Sequence, residues 1–360
     1  MRVGIGKLST AALLMISTAG CGTAGDDSQA PVAQQATVGK AAQALGNQDI
    51  CLSAAPIVGP ARKIFQLNDH LIAFYDGRNT ERLTPDANWV DDAANKLGVA
   101  TYAIYKGNEA IVFDTFPTID QARWQRATLE SMGITKFTVV TSHWHNDHIA
   151  GNEVYADSKI LMTARGLQFM TDNKADLEAG TSLFGPPAIN PVVLPNDTYV
   201  GERTLHVGDI TVELHQLNVH SPDETVILLP ADRILLSGDT TEDSIPYLVE
   251  YADLKLHITG LKAMAKWTSF DRILPNHGNP DRIQTGGYDK SFIDATQTYI
   301  TNMVNGATKA GFLDAPVEEF AGKALRSCDV SLYDGYLDVH EYNKQGVAAV
   351  WGMKHTRTAP

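Results

Sequence analysis

The chain has 360 residues, of which 44% are hydrophobic and 20% charged, so its composition is that of a globular protein rather than a disordered or collagen-like chain. A chain of this length can form one large domain or two small ones. Its formal net charge is −13, and a surface this acidic repels phosphate backbones. We therefore expect no nucleic-acid partner.

The first 21 residues have the pattern of an export signal. Two positive residues precede a short apolar stretch over 8–18, and small residues precede Cys21. The stretch is too short to span a bilayer and is typical of a secretory signal peptide. Because the residues before Cys21 resemble a lipoprotein cleavage site, lipidation of Cys21 and ordinary cleavage nearby both remain open. We expect an exported protein that is periplasmic, tethered to a membrane through Cys21, or secreted.

Residues 22–49 are rich in Ala, Gln, Gly and Ser, which predicts a flexible linker before a folded domain over 50–360. The domain contains two cysteines, Cys51 and Cys328. An even number of cysteines in an exported protein favours a disulfide. Two buried free thiols are the alternative, and the sequence leaves both open.

From residue 62 onward, strand-like and helix-like patterns alternate. Short apolar runs predict strands at 71–75, 101–105, 110–113, 137–141, 203–206, 211–217, 224–229, 233–237 and 272–274. Helices are predicted at 118–132, where Thr118 and Gln121 form a capping box, and at 252–266, 289–310 and 316–326. This alternation favours an α/β fold. Two long stretches without periodicity, 76–98 and 176–200, are binding loops or ordinary surface loops.

The segment from Thr141 to His148 reads T-S-H-W-H-N-D-H and holds four potential metal ligands within six residues. They are His143, His145, Asp147 and His148. Imidazole and carboxylate groups suit zinc and similar metals. The spacing fits two adjacent ions better than one closed tetrahedral site. A surface histidine cluster and a single structural zinc are the alternatives.

This segment resembles the H-x-H-x-D-H motif of the metallo-β-lactamase-fold hydrolase superfamily. Three further segments are similar to motifs of that family and follow in its order, at 219–223, 236–240 and 274–278. Val219, Asp223 and Asn276 stand where the family usually has Gly. The resemblance covers about 65–280. It implies a four-layer αβ/βα sandwich with two metal ions at one edge of the sheets.

The resemblance also implies the ligands of two zinc ions. One ion would be held by His143, His145 and His220, the other by Asp147, His148 and His277, with Asp239 as the bridge. His215 is the rival of His220, which we prefer because Ser221-Pro222 follows it much as in the family. A hydroxide held by the metal would attack a carbonyl carbon, with Asp147 as the catalytic residue that orients it and transfers a proton.

The bridging Asp239 indicates the branch of the family. Relatives that hydrolyse lactones, thioesters and similar esters carry Asp there, whereas true β-lactamases usually have Cys or Ser. No Lys or Arg occurs between Arg233 and Lys255 to hold a β-lactam carboxylate. We therefore predict an exported dinuclear zinc hydrolase that opens a small ester, lactone or thioester.

Three alternatives remain. The segment 220–223 and the export signal are similar to those of β-lactamases, so β-lactam antibiotics are the alternative substrates. A mononuclear iron enzyme that oxidises sulfur and a non-catalytic metal-binding lipoprotein are the other two. Tyr247 is a candidate donor to the developing oxyanion, and Trp144 is a candidate wall of the substrate pocket. Either residue could instead serve only in packing.

Overall fold

A computed structural model of the chain describes residues 49–352. The predicted export signal, Cys21 and the predicted linker up to residue 48 lie outside the described residues. Export and the domain boundaries therefore stay predictions. Within residues 49–352, no helix is both long and apolar enough to cross a membrane.

Twelve strands of the described part form two sheets. In chain order they are Lys63–Asn68, Leu71–Asp76, Val99–Lys106, Glu109–Phe113, Lys136–Val140, Lys159–Thr163, Asp197–Tyr199, Glu202–Val207, Ile210–Gln216, Thr225–Leu229, Ile234–Gly238 and Arg272–Pro275, numbered β1 to β12. The first sheet has the order β1-β2-β3-β4-β5-β6-β7, and the second the order β12-β11-β10-β9-β8. Strands β4 to β7 run parallel to one another, as do β11 and β12.

Six longer helices cover the outer faces of the sheets. They are Ile119–Ser131, Ala164–Ala179, Leu254–Met264, Ser291–Gly306, Glu318–Ser327 and Gly335–Trp351, numbered α1 to α6. Shorter helical turns lie at Val90–Ala94, Asn95–Leu97, Asn146–Ile149, Ala150–Tyr155, Tyr251–Asp253, Pro280–Gln284 and Phe312–Asp314. The hydroxyl of Thr118 accepts the backbone N–H of Gln121, as the capping box predicted.

The layers follow from the alternation of side chains along each strand. In β4, Ile111 and Phe113 belong to the apolar cluster between the sheets, whereas Val112 packs on the outer face with Leu129 of α1. In β10, Ile227 faces the same inter-sheet core, while its neighbours pack against α3 to α6. The order helix, sheet, sheet, helix confirms the predicted four-layer αβ/βα sandwich.

Several elements differ from the predictions. Strands β1 and β6 and helices α2 and α6 were not predicted, and α2 reaches into the supposed loop at 176–200, where β7 also lies. The loop at 76–98 contains the helical turn Val90–Ala94. The predicted strands and the four predicted helices are present, with ends that differ by a few residues.

A disulfide joins the start of the domain to its C-terminal helices. Cys51 is bonded to Cys328, with their Cα atoms 5.4 Å apart. Beside the bond, Leu52 pairs with Leu332, and the N–H of Leu332 donates to the carbonyl of Cys51. The structure therefore contains the disulfide rather than the two free thiols.

Candidate metal centre

The polar residues of the predicted site lie where parallel strands end. His143 to His148 follow β5, Asp239 follows β11, and His277 follows β12. The carboxyl ends of parallel strands meet at one edge of a sheet, and here the edges of both sheets come together. The N–H of Thr225, at the start of β10, donates to the carbonyl of Ser142 at 2.7 Å. This bond joins the two edges directly beside the histidine segment.

The first predicted ligand group is brought together around His145. Its Nδ1 atom lies 2.9 Å from His143 Nε2 and 3.0 Å from His220 Nε2. The three side chains are buried, and their ligand atoms lie within 4.8 Å of one another. Three imidazole nitrogens that converge in this way could hold one zinc ion.

The second predicted group is formed by Asp147, His148 and His277. The Nε2 atom of His277 lies 3.1 Å from Asp147 Oδ2, and that of His148 lies 3.5 Å from Asp147 Oδ1. These three residues also offer ligand atoms within 4.8 Å of one another. Two histidines and a carboxylate are a donor set that suits a second zinc ion.

Asp239 lies between the two groups. Its Oδ2 atom is 3.1 Å from His148 Nε2 and 3.4 Å from His277 Nε2 on one side. On the other side it is 3.7 Å from His220 Nε2 and 3.8 Å from His143 Nε2. Its Oδ1 atom is buried and accepts no hydrogen bond in the described part of the chain. A single carboxylate thus faces both groups, which is the arrangement expected of a bridging ligand.

The second nitrogens of three of the histidines, His143, His148 and His277, face acceptors that hold the direction of each ring. His148 Nδ1 lies 2.8 Å from Asp114 Oδ2, and His277 Nδ1 lies 2.7 Å from the carbonyl of Gly98. His143 Nδ1 lies 3.2 Å from Glu224 Oε2. Such partners leave the other nitrogen free to bind a metal.

Sequence reasoning missed these partners. Asp114 directly follows β4, the parallel neighbour of β5, so its position at a strand end was a usable signal. Glu224 and Glu242 lie near motifs but match none of them. The carbonyl of Gly98 has no side-chain signal. Glu242 Oε1 lies 3.7 Å from His220 Nδ1, while its two oxygens accept from the N–H of Tyr247 and the hydroxyl of Tyr336.

The electrostatics of the site fit a cation. Burial lowers the pKa of His220 to about 4, and burial also keeps the pKa values of His143 and His145 well below the usual value. These three imidazoles are therefore neutral at pH 7, the form that binds metals. Burial alone would lower the pKa values of His148 and His277 as well, but the nearby carboxylates raise both. Without a metal, the protonated rings of His148 and His277 balance these carboxylates, and a bound metal ion would supply that positive charge instead.

The departures from the family motifs have local explanations. Val219 lies in the apolar core under α3 and α4, and a Cβ on Gly260 would lie 2.5 Å from its Cγ2 atom. Asp223 accepts the hydroxyl proton of Ser221, and the amide of Asn276 donates to Asp114. His220 itself has a φ of 66°, in the left-handed region that non-glycine residues rarely adopt. The altered residues are thus part of the support of the site.

His215, the rival of His220, lies apart from this cluster. Its ring packs against that of Trp267 in a tilted contact with centroids 4.8 Å apart, and Nδ1 lies 3.3 Å from Glu202 Oε1. Within residues 49–352, it belongs to none of the groups able to hold a metal. The preference for His220 agrees with this geometry.

A cavity of about 570 Å³ opens above the cluster. His145, Asp147, His220 and His277 lie at its inner end. Tyr247 lines it, so an interaction with substrate is sterically open to this residue.

Trp144 does not line the cavity. It is buried and packs against Phe169 and Phe184, with ring centroids 5.5 Å and 5.4 Å away. The structure thus places Trp144 in a packing contact behind Phe184, which is the packing role that the sequence left open.

Known proteins resemble this chain, some in a sequence profile and others in the fold. A sequence profile of the metallo-beta-lactamase superfamily matches residues 94–266. A metallo-beta-lactamase from Pontibacter korlensis has a TM-score of 0.51 and 16% identity, with 67% of this chain and 100% of that one covered. VMB-1 has a TM-score of 0.50 and 17% identity, with 67% and 96% covered. At these identities the likeness shows the fold alone.

A curated relative is the linear primary-alkylsulfatase of Pseudomonas sp. (strain ATCC 19151). It is 23% identical to this chain, and the match covers 47% of this chain and 39% of the relative. The chain thus spans well under half the length of that protein. The histidine motif and the four-layer fold agree with the matched profile: residues 94–266 match the metallo-beta-lactamase superfamily, and the chain has the metallo-β-lactamase fold.

Proposed function

We propose that the chain is an exported hydrolase that holds two zinc ions and opens an uncharged ester, lactone or thioester. The observation that carries this proposal is the position of Asp239. One of its oxygens lies within 3.8 Å of imidazole nitrogens from both ligand groups. A carboxylate in this position is suited to bridge two ions rather than to complete one closed site.

The geometry supports one assignment of residues to each ion. His143, His145 and His220 would hold one ion and Asp147, His148 and His277 the other, with Asp239 shared. When bound, zinc polarises a carbonyl oxygen and lowers the pKa of a coordinated water towards ~7, which makes a nucleophile available at neutral pH.

Asp147 is the proposed catalytic residue. Its side chain is 18% exposed and lines the cavity, so it is within reach of a substrate. Burial raises its pKa, but His148 and His277 outweigh burial and lower that pKa to about 2. The carboxylate is therefore ionised and able to orient the attacking water and accept its proton. Tyr247, at the cavity wall, is the proposed donor to the oxygen on which negative charge develops.

The lining of the cavity supports an uncharged substrate. Among the described residues that line it, none is Lys or Arg. Carboxylates and sulfates are normally held by such cations in proteins. A β-lactam carries a carboxylate, so the lining disfavours β-lactams as substrates.

The second candidate function is hydrolysis of a primary alkyl sulfate. It is favoured by the match to the alkylsulfatase and by the apolar part of the cavity. The absence of Lys and Arg from the lining counts against it, because the metal ions alone would have to hold the charge of the sulfate group. We therefore place the uncharged ester first.

Zinc content and hydrolysis test the proposal together. Purified protein dialysed against zinc is expected to retain two ions per chain and to hydrolyse an uncharged lactone or thioester. Asp147→Asn is expected to lose most of this hydrolysis while it keeps the secondary structure. A protein that binds no zinc, or an Asp147→Asn variant as active as the parent, would contradict the proposed mechanism.

A further inference from the structure

The outer half of the cavity is built from residues that are not predicted ligands of the metal ions. It is lined by the side chains of Trp89, Leu183, Phe184, Tyr247, Val339 and Tyr342. These residues come from four separate parts of the chain: the turn before Val90–Ala94, the loop after α2, the segment after β11, and helix α6. A wall assembled from four segments is a formed pocket rather than a chance groove.

The wall is apolar and parts of it are open to solvent. Leu183 is 66% exposed and Tyr342 is 54% exposed at the rim, while the ring of Phe184 lies 5.1 Å from that of His145 at the base. Apolar side chains therefore continue from the surface down to a predicted metal ligand. Exposed apolar residues around a cavity are typical of a site that binds an apolar ligand.

The charges near the wall are already compensated. Asp92 and Asp338 line the cavity, but Asp92 pairs with Arg82 at 2.6 Å and Asp338 pairs with Lys96. Arg82 and Lys96 form these ion pairs and do not line the cavity. Among the described residues, no unpaired positive side chain therefore faces a ligand in the cavity. Neither an anionic nor a cationic group would gain a new ion pair there.

We infer that this outer half is a binding subsite for an uncharged apolar group of the substrate, an alkyl chain or an aromatic ring next to the bond that is cleaved. The inference rests on the proposed function, because it names the substrates which that centre would hydrolyse. Helix α6 lies beyond residues 94–266, which the superfamily profile matches. Val339 and Tyr342 are thus specificity-determining residues supplied from outside the matched segment.

Direct binding tests the subsite without turnover. We would measure, by calorimetry, the Kd of uncharged N-alkyl acetamides from butyl to octyl, on protein with and without added zinc. Each methylene buried in an apolar site is worth a factor of about four in Kd, from ~0.8 kcal/mol per CH₂. We expect Kd to fall steeply with chain length, and, on the zinc-free protein, alkyl sulfonates of equal length to bind at least tenfold more weakly.

Variants on helix α6 and the rim locate the binding. Tyr342→Ala and Leu183→Ala are expected to weaken octyl acetamide several-fold. Leu337→Ala is the matched control, because Leu337 lies on the same helix and is 39% exposed but does not line the cavity. A Kd independent of chain length, sulfonates that bind the zinc-free protein as tightly as acetamides, or equal effects of Tyr342→Ala and Leu337→Ala would overturn the inference.

The two proposals can fail separately. If acetamides bind with the expected dependence on chain length but no ester, lactone or thioester is hydrolysed, the subsite stands and the proposed function fails. If esters are hydrolysed at rates independent of chain length and Tyr342→Ala changes nothing, the hydrolase stands and the subsite is wrong.

Discussion

The carboxylate of Asp114 faces Nδ1 of His148 at 2.8 Å, and this contact determines which nitrogen of His148 faces Asp239. Asp114 is buried and also accepts from the N–H and hydroxyl of Ser142. Partners of this kind raise the basicity of a histidine ligand and hold its ring in place. Asp114 would therefore support the second proposed ion without touching it.

Asp114→Asn is expected to lower zinc affinity by about 10- to 100-fold, because the ring of His148 loses its charged partner. A titration against a chromophoric chelator measures this. Asp209→Asn is the control, since Asp209 is an exposed carboxylate at the turn between β8 and β9 and pairs only with Lys106 among the described contacts. Unchanged affinity in Asp114→Asn would show that the contact does not support the metal.

Glu242→Gln tests the support of His220. The carboxylate is buried and lies 3.7 Å from His220 Nδ1. Burial raises the pKa of Glu242 to about 8 in the metal-free chain, and a bound cation would favour the charged form. Removal of this carboxylate is therefore expected to weaken binding at the His143, His145 and His220 group by about tenfold, which is the lower end of such effects. The cobalt-substituted protein would report the change through its visible spectrum.

Tyr336→Phe is the matched control for Glu242. It removes one hydroxyl donor to Oε2 and keeps the carboxylate, so a much smaller change in affinity is expected. Equal effects of the two variants would indicate that Glu242 acts through packing alone.

The local motifs made the candidate ligands predictable, because all seven residues lie in or beside short segments at strand ends. Helix α6 was not predictable for a physical reason. Its buried face carries His340, Asn343 and Lys344, which break the apolar periodicity of the sequence. Their polar atoms bond to the hydroxyl of Tyr299 and the carbonyls of Pro246 and Ala315. Contacts this distant in sequence leave no local pattern.

Asp223 predicts a pH dependence of stability. Burial raises its pKa to about 7, although Ser221 donates to it. Between pH ~4 and about 7 the folded protein holds a proton that the unfolded chain has released, so stability falls as pH rises, by about 1.4 kcal/mol per unit. Above pH 7 the free energy of unfolding no longer changes with the titration of Asp223.

Asp223→Asn is expected to remove this fall in the free energy of unfolding, because Asn does not titrate. The variant and the parent, both freed of metal, would be unfolded in urea at pH 5 and at pH 8. We expect the free energy of unfolding of Asp223→Asn relative to the parent to increase by about 2–3 kcal/mol from pH 5 to pH 8. A difference between the two proteins that is the same at both pH values would contradict the raised pKa.

The disulfide between Cys51 and Cys328 closes most of the domain into one loop, with a sequence separation of 277. Its removal by Cys51→Ser is expected to lower the free energy of unfolding by about 2–5 kcal/mol. Reductant should lower the urea midpoint of the parent to that of the variant and leave the variant unchanged. Two free thiols in the denatured, unreduced domain without Cys21 would refute the bond.

The central claim is the preference for an uncharged substrate, and a competition assay tests it most directly. Zinc-loaded protein would receive equal concentrations of a lactone with an apolar acyl chain, a cephalosporin and a short primary alkyl sulfate, with Asp147→Asn as the background. Mass spectrometry would follow the addition of water to each. The account predicts that the lactone is opened first. Preferential hydrolysis of the cephalosporin or of the alkyl sulfate would contradict it, and would mean that a charged group is held without a cation in the cavity lining.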